Sequence, residues 1–118
     1  MTRKTSGVIA ICALVLLLAA CDRVKIGDIN ADPGRFNNKE VSVAGQVTGL
    51  SIGVLNTGLY EIDDGTAKLY VLSSSRGAPS KGATVGVKGT IMPTFTFLGR
   101  NYATVLRESD RKAVRASN

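Results

Sequence analysis

Histidine and tryptophan are absent from the 118 residues, and three Tyr and three Phe supply all the aromatic rings. General acid–base catalysis draws most often on histidine, so the commonest enzyme chemistry lacks its usual residue. The adjacent carboxylates Asp63 and Asp64 do not replace it, because neighbours on a strand point to opposite faces. Placed before Gly65, they suit a turn. Ser73-Ser74-Ser75 has no base partner that would make a nucleophile. The 13 Gly form no phosphate loop, since no strand–Gly–helix arrangement follows them. Negative charge is scarce as well: 15 Lys+Arg stand against 9 Asp+Glu, a net charge of +6. One domain fits this length. A domain so small buries only about 60–65% of the surface its unfolded chain exposes, which disfavours a deep enclosed pocket. An enzyme is not expected, nor is a cofactor.

The N-terminus is where the long apolar run lies. Met1 to Gly7 is short and basic, and an unbroken apolar run follows from Val8 to Ala20. A spanning helix needs about 20 residues, so this run fits a signal-peptide core better. It ends in Leu18-Ala19-Ala20-Cys21, which resembles the bacterial lipobox. The resemblance implies removal of residues 1–20 and transfer of a diacylglycerol to the Cys21 thiol. It also implies acylation of the new amino group with a fatty chain such as palmitate. Each buried methylene contributes about 0.8 kcal/mol, and two or more chains hold a protein on a bilayer stably. An uncleaved signal anchor with an incidental Cys21 is the other reading. Cys12 would leave with the signal and Cys21 would be alkylated, so neither a disulfide nor a thiolate metal site is expected. Asp22 resembles the inner-membrane retention signal of enteric-type lipoproteins. The implied location is the extracytoplasmic side of a bacterial envelope, on the inner membrane. Without Arg3 and Lys4 the net charge becomes +4.

Residues 21–25 leave almost no tether. Arg23 and Lys25 then lie within a Debye length of anionic lipid, each worth about 1 kcal/mol there, or belong to a solvated linker. Ile26 and Ile29 share a face of one or two helical turns that Asp32-Pro33-Gly34 ends. From Glu40 the period becomes two: Val41, Val43, Gly45 and Val47 on one face, Ser42, Ala44, Gln46 and Thr48 on the other. Gly45 and Gly49 permit a bulge or tight coiling. An apolar loop is expected over Leu50 to Thr57. Asp63-Asp64-Gly65 between Leu59–Asp63 and Lys68–Leu72 signals a hairpin. Ser73 to Ala83 reads as a connection, and Thr84 to Met92 alternates again, with Val85, Val87, Gly89 and Ile91 inward. A loop carrying Pro93, Phe95, Phe97 and Gly99 precedes a last strand at about Tyr102 to Arg107. Residues 108–118 read as a basic, frayed tail.

Five short strands cannot hide both faces in an open sheet, whereas a barrel makes one core from the Val/Ile faces. Residues 26–107 resemble the OB-fold. The coiled first strand ending near Gly49, the Asp63-Asp64-Gly65 hairpin and the run Pro79 to Gly89 opening the fourth strand carry the resemblance. The fold class expected is all-β, a five-stranded closed or partly open OB-type barrel with a short N-terminal helical turn. An SH3-like five-stranded barrel needs the same composition. OB-folds commonly place a helix between strands three and four, and Ser73–Ala83 is too rich in Gly, Ser and Pro for one. The Ile26/Ile29 turn is expected to close that end instead.

OB-folds generally bind on the outer face of strands two and three, between the loops joining strands one–two and four–five. With Tyr60, Ile62, Leu69 and Val71 inward, Lys68, Tyr70 and Leu72 face out beside Leu59 and Glu61. Ile52, Val54 and Leu55, and Phe95, Phe97 and Arg100, come from the flanking loops. The candidate partner-binding residues are therefore Lys68, Tyr70, Leu72, Phe95, Phe97 and Arg100. In the competing reading, Phe95 and Phe97 plug a barrel end and Tyr70 packs across strands. The chain also resembles in size the membrane-tethered OB-fold haem chaperones, but they depend on a histidine that is missing here. The first functional expectation is a non-catalytic module for a protein or small envelope ligand. Single-stranded nucleic acid is the alternative, with bases on Tyr70, Phe95 or Phe97 at about 1–3 kcal/mol each and Lys68, Lys88 and Arg100 as groove charges. Anionic polymers, glycan or lipid headgroups, are a third. The tail cations Arg107, Arg111, Lys112 and Arg115 are solvated or meet an acidic partner.

Overall fold

The computed structural model describes residues 23–114. The signal segment, Cys21, Asp22 and Arg115 lie outside them. Five strands, β1 (Glu40–Val54), β2 (Thr57–Asp63), β3 (Lys68–Ser73), β4 (Thr84–Phe97) and β5 (Arg100–Ala113), form a closed barrel in the order β1-β2-β3-β5-β4. Pairing is antiparallel except between β3 and β5, where Tyr70, Val71 and Leu72 lie opposite Val105, Leu106 and Arg107 in parallel. This is the OB-type barrel expected from the sequence. The alternation read from the residues does set the core: Val41, Val43 and Val47, Tyr60 and Ile62, Leu69 and Val71, Val85, Val87 and Ile91 are buried together with Leu106. Each large apolar side chain so buried contributes about 1.5–3 kcal/mol.

Two short helices, α1 (Ile26–Ala31) and α2 (Pro33–Phe36), precede the barrel. Neither is stable alone at this length. Ile26 and Ile29, both fully buried, dock α1 onto the core. Its N-terminus is capped from the β2–β3 turn: the Asp64 carboxylate accepts the Ile26 N–H and the Thr66 hydroxyl accepts the Gly27 N–H, each at 2.9 Å. Asp63 accepts the Gly65 N–H at 2.8 Å and Asp64 the Thr66 N–H at 2.9 Å. Both carboxylates are thus engaged as turn formers. Partial burial works against ionisation of Asp64, but the Thr66 hydroxyl and the N–H groups of Ile26, Thr66 and Ala67 outweigh it and hold its carboxyl below the usual range.

At the opposite end of β3 the connection to β4 contains no helix, as its composition implied. It is latched by charge instead. The Arg111 guanidinium donates to the carbonyls of Arg76 and Gly77 and to the Glu108 carboxylate, at 3.1, 3.0 and 3.2 Å. Glu108, its side chain 3% exposed, also accepts from the Tyr60 hydroxyl, over whose ring Arg111 sits at 5.5 Å. Burial first, then the Glu108 carboxylate, push the Tyr60 hydroxyl well above its ordinary range, so it remains a donor. Residues expected to fray therefore complete the barrel: β5 runs through Ala113, which pairs with Val85. The tail reading failed because a polar strand held by an ion pair shows no apolar alternation.

Two expected loops are also strand. β1 continues to Val54 and β2 begins at Thr57, the two opposite each other across Leu55-Asn56. β4 continues to Phe97, opposite Arg100 across Leu98-Gly99. These β1–β2 and β4–β5 ribbons extend beyond the closed sheet. Pro93 and Gly99 suggested a loop, but β1 pairs with β4 only as far as Thr90. Ile91 still bonds the segment before β1, its N–H donating to the Lys39 carbonyl and its carbonyl accepting the Asn38 N–H. Pro93 lies past both pairings, at an edge where proline is tolerated.

Candidate binding face

The outer face of β2, β3 and β5 carries a second apolar cluster. Leu59, Leu72, Phe97, Tyr102 and Val105 are buried in it, with Ile52, Tyr70, Met92 and Phe95 partly buried against them. Register explains the assembly. Ile52 lies opposite Leu59 and Leu59 opposite Leu72; Tyr70 lies opposite Val105 and Val105 opposite Met92; Phe95 lies opposite Tyr102. Tyr70 meets Tyr102 edge-on with ring centroids 4.9 Å apart, and Phe95 and Phe97 are 6.3 Å apart. Four of the six aromatic side chains thus sit on one wall of the barrel, outside its core.

Of the six candidate residues, Tyr70 and Phe95 are half-buried in this wall, and Lys68 and Arg100 are exposed at its margins. Leu72 and Phe97 are corrections to the expected open patch: they are 3% and 8% exposed, buried in the outer cluster with Leu59, Tyr102 and Val105 rather than offered to solvent. Phe97 is buried because the segment expected as a loop is a paired ribbon, in which it lies opposite Arg100 at the end of β4. Lys88, expected as a groove charge, lies elsewhere, 3.6 Å from Glu40. Tyr102 and Arg107 belong to the face and were not assigned to it. Arg107 sits opposite Leu72 only through the parallel β3–β5 pairing, a non-local contact with no signal in local periodicity.

The rims are unusual. Leu55 and Leu98 open the two-residue connections at the ribbon tips, at φ +56° and +50°. They are 98% and 68% exposed. A leucine in this left-handed region costs about 1–2 kcal/mol. The β1–β2 tip is pinned, since the Gly77 N–H donates to the Asn56 carbonyl at 2.8 Å. Arg100 lies over the Tyr102 ring at 5.6 Å. A separate cleft of about 430 Å³ opens on the β1–β4–β5 wall, lined by Arg23, Ser42, Lys88 and Lys112 among others. Among the described residues, no group of three or more His, Cys, Asp or Glu is placed to hold a metal, and no helix is long and apolar enough to cross a membrane.

The fold is similar to part of a protein from Leishmania major described as an aspartyl-tRNA synthetase. The TM-score is 0.61 and the identity 12%, over 81% of this chain and 21% of that one. This chain therefore spans about a fifth of that protein's length. It is also similar to an OBody bound to hen egg-white lysozyme, with TM-score 0.53 and 19% identity over 70% of this chain and 88% of that one. At these identities the likeness concerns the fold. No family model and no curated protein sequence matches the chain.

Proposed function

We propose that the chain is a lipid-anchored module of a bacterial envelope whose outer β2–β3–β5 face binds another protein or a small envelope ligand without catalysing a reaction. The observation that carries the binding reading is the half-buried aromatic wall between two projecting ribbons. Exposed apolar surface rimmed by polar residues marks interaction sites, and Leu55 and Leu98 carry this wall out into solvent. That an OBody of the same fold holds lysozyme supports a protein as occupant. The anchor reading rests on the sequence from Val8 to Cys21. The position of Arg23 agrees with it: Arg23 bridges to Ser42 near the start of β1, some 12 residues of strand from the β1–β2 tip. Under this reading a tether at Cys21 would join the barrel near the start of β1 rather than at the β1–β2 tip. Nucleic acid is a poorer occupant. Of the three rings expected to stack on bases, Phe97 is buried while Tyr70 and Phe95 are half-buried. Of the three expected groove charges, Lys88 lies beside Glu40, away from this face.

Affinity capture from membranes tests the reading. Wild type and Lys88→Ala should retain one stoichiometric ligand that Tyr70→Ser loses at least tenfold. Equal recovery with all three, or loss with Lys88→Ala alone, places binding elsewhere. In the same preparations Cys21→Ser should accumulate at precursor mass, and a normally matured, membrane-bound Cys21→Ser protein would contradict the anchor.

A further inference from the structure

Leu55 and Leu98 hold equivalent positions in two separate ribbons, each opening a two-residue connection at positive φ. Glycine or asparagine takes that position without strain. Exposure of 98% and 68% means that neither leucine gains burial to offset its backbone conformation. Strain of this kind persists only where its surroundings hold it, and it gathers at functional sites. The β1–β2 tip is held: Arg111 fixes the Gly77 carbonyl, and the Gly77 N–H fixes the Asn56 carbonyl beside Leu55. Both tips edge the same aromatic wall through Ile52 on one ribbon and Phe97 on the other.

We propose that Leu55 and Leu98 are paired anchors that enter an apolar cleft with an acidic rim on a folded partner protein. The inference rests on the outer face being the binding site and names its occupant. Charge selects that occupant. Residues 50–59 carry no charged side chain, and residues 92–105 carry Arg100 alone. Arg107, opposite Leu72, is the exposed cation that follows toward the middle of the face. Lys68 lies at the far end of β2 and β3 opposite Asp63, with Glu61 opposite Tyr70, so positive charge is in excess only at the ribbon end. Apolar tips beside isolated cations match a cleft flanked by carboxylates. A bilayer is a poorer match, because polybasic lipid recognition uses clusters of four to eight cations. A second copy meeting tip to tip is a poorer match, because residues 50–59 and 92–105 offer no carboxylate to Arg100.

The test uses the full chain in the membrane of the cell that makes it, with a photoreactive residue at position 55 or 98 and, for reference, at 68 or 70. Thermal unfolding of purified Leu98→Asn and Leu55→Gly runs beside it. The proposal expects one and the same protein adduct from both tips, mapped to a carboxylate-rimmed cleft. It also expects Leu98→Asn to lower the adduct from position 55 at least tenfold while raising Tm by about 2–8 °C. Binding loss together with added stability separates an anchor from a structural leucine. A fall in Tm, adducts between copies of the chain, or adducts to lipid alone would each overturn it. Adducts from 68 and 70 without any from the tips would leave the face reading intact and remove the anchors. Silence at all four positions would remove both.

Discussion

Arg111→Ala is expected to destabilise the fold by about 3–5 kcal/mol, a fall in Tm of roughly 15–30 °C for a domain of this size. The cause is what the truncation leaves behind. Glu108, 3% exposed in the intact pair, keeps only the neutral Tyr60 hydroxyl as partner, and the Arg76 and Gly77 carbonyls lose their donor. The pair itself need not be a large net gain, because its desolvation offsets much of its attraction. Removing the whole polar set should therefore be milder: Tyr60→Phe with Glu108→Leu and Arg111→Met should cost less than Arg111→Ala alone. Thermal and urea unfolding of the purified variants measure both. A loss below about 1 kcal/mol for Arg111→Ala would show that the β3–β4 connection is held by something other than this latch.

Gly89→Ala should be comparably severe, at about 3 kcal/mol, the upper end for overpacking. A Cβ at Gly89 would stand 2.0 Å from the Arg107 carbonyl oxygen and 3.0 Å from the Glu108 Cα. Both are backbone atoms of the facing strand, so no side-chain rotation relieves the clash. The site coincides with the irregularity between Lys88 and Gly89, where Ser109 is the extra residue and its hydroxyl donates to the Lys88 carbonyl at 3.0 Å. Closing a small barrel needs such a bend. Gly86→Ala, three residues earlier on the same strand, is the control. Its added carbon meets the Val114 side chain at an ordinary 3.6 Å, and a change within about 1 kcal/mol is expected. Equal losses for the two variants would mean that flexibility in β4, not the close approach at Gly89, is what the barrel requires.

Parts of this architecture that obey a local rule could be read from the residues. Val41, Val43 and Val47, and Val85, Val87 and Ile91, alternate because one face of each strand meets the core and the other meets water. Asp63-Asp64-Gly65 forms a turn because short carboxylates hydrogen-bond to backbone N–H groups two or three residues on. The ribbons escaped that reading. Ser51 to Leu59 and Met92 to Val105 stand partly beyond the closed sheet, so they lack the one-sided burial that writes a period of two. The stretch from Glu108 to Ala113 escaped it for the opposite reason, since its burial is electrostatic. The candidate face mixes both cases. Tyr70 follows from alternation along β3, while its contact with Tyr102 and the neighbourhood of Arg107 depend on β3 meeting β5 in parallel across more than 30 residues of chain. Asp64 reaching across to cap α1 is likewise a tertiary contact that its own turn does not announce.

Arg111 links the two halves of the account. It holds the β3–β4 connection against the barrel, and through Gly77 that connection holds the tip of the β1–β2 ribbon. A rigid rim on one wall of a closed barrel is the claim on which the binding reading depends. Hydroxyl-radical footprinting tests it most directly, by comparing the full chain in intact cells that make it with the purified chain. Protection should appear at Leu55, Tyr70, Met92, Phe95 and Leu98, while Val114 and Phe36 label equally in both states. Protection at Val114 or Phe36, with the five face residues labelling as freely as in the purified chain, would contradict it.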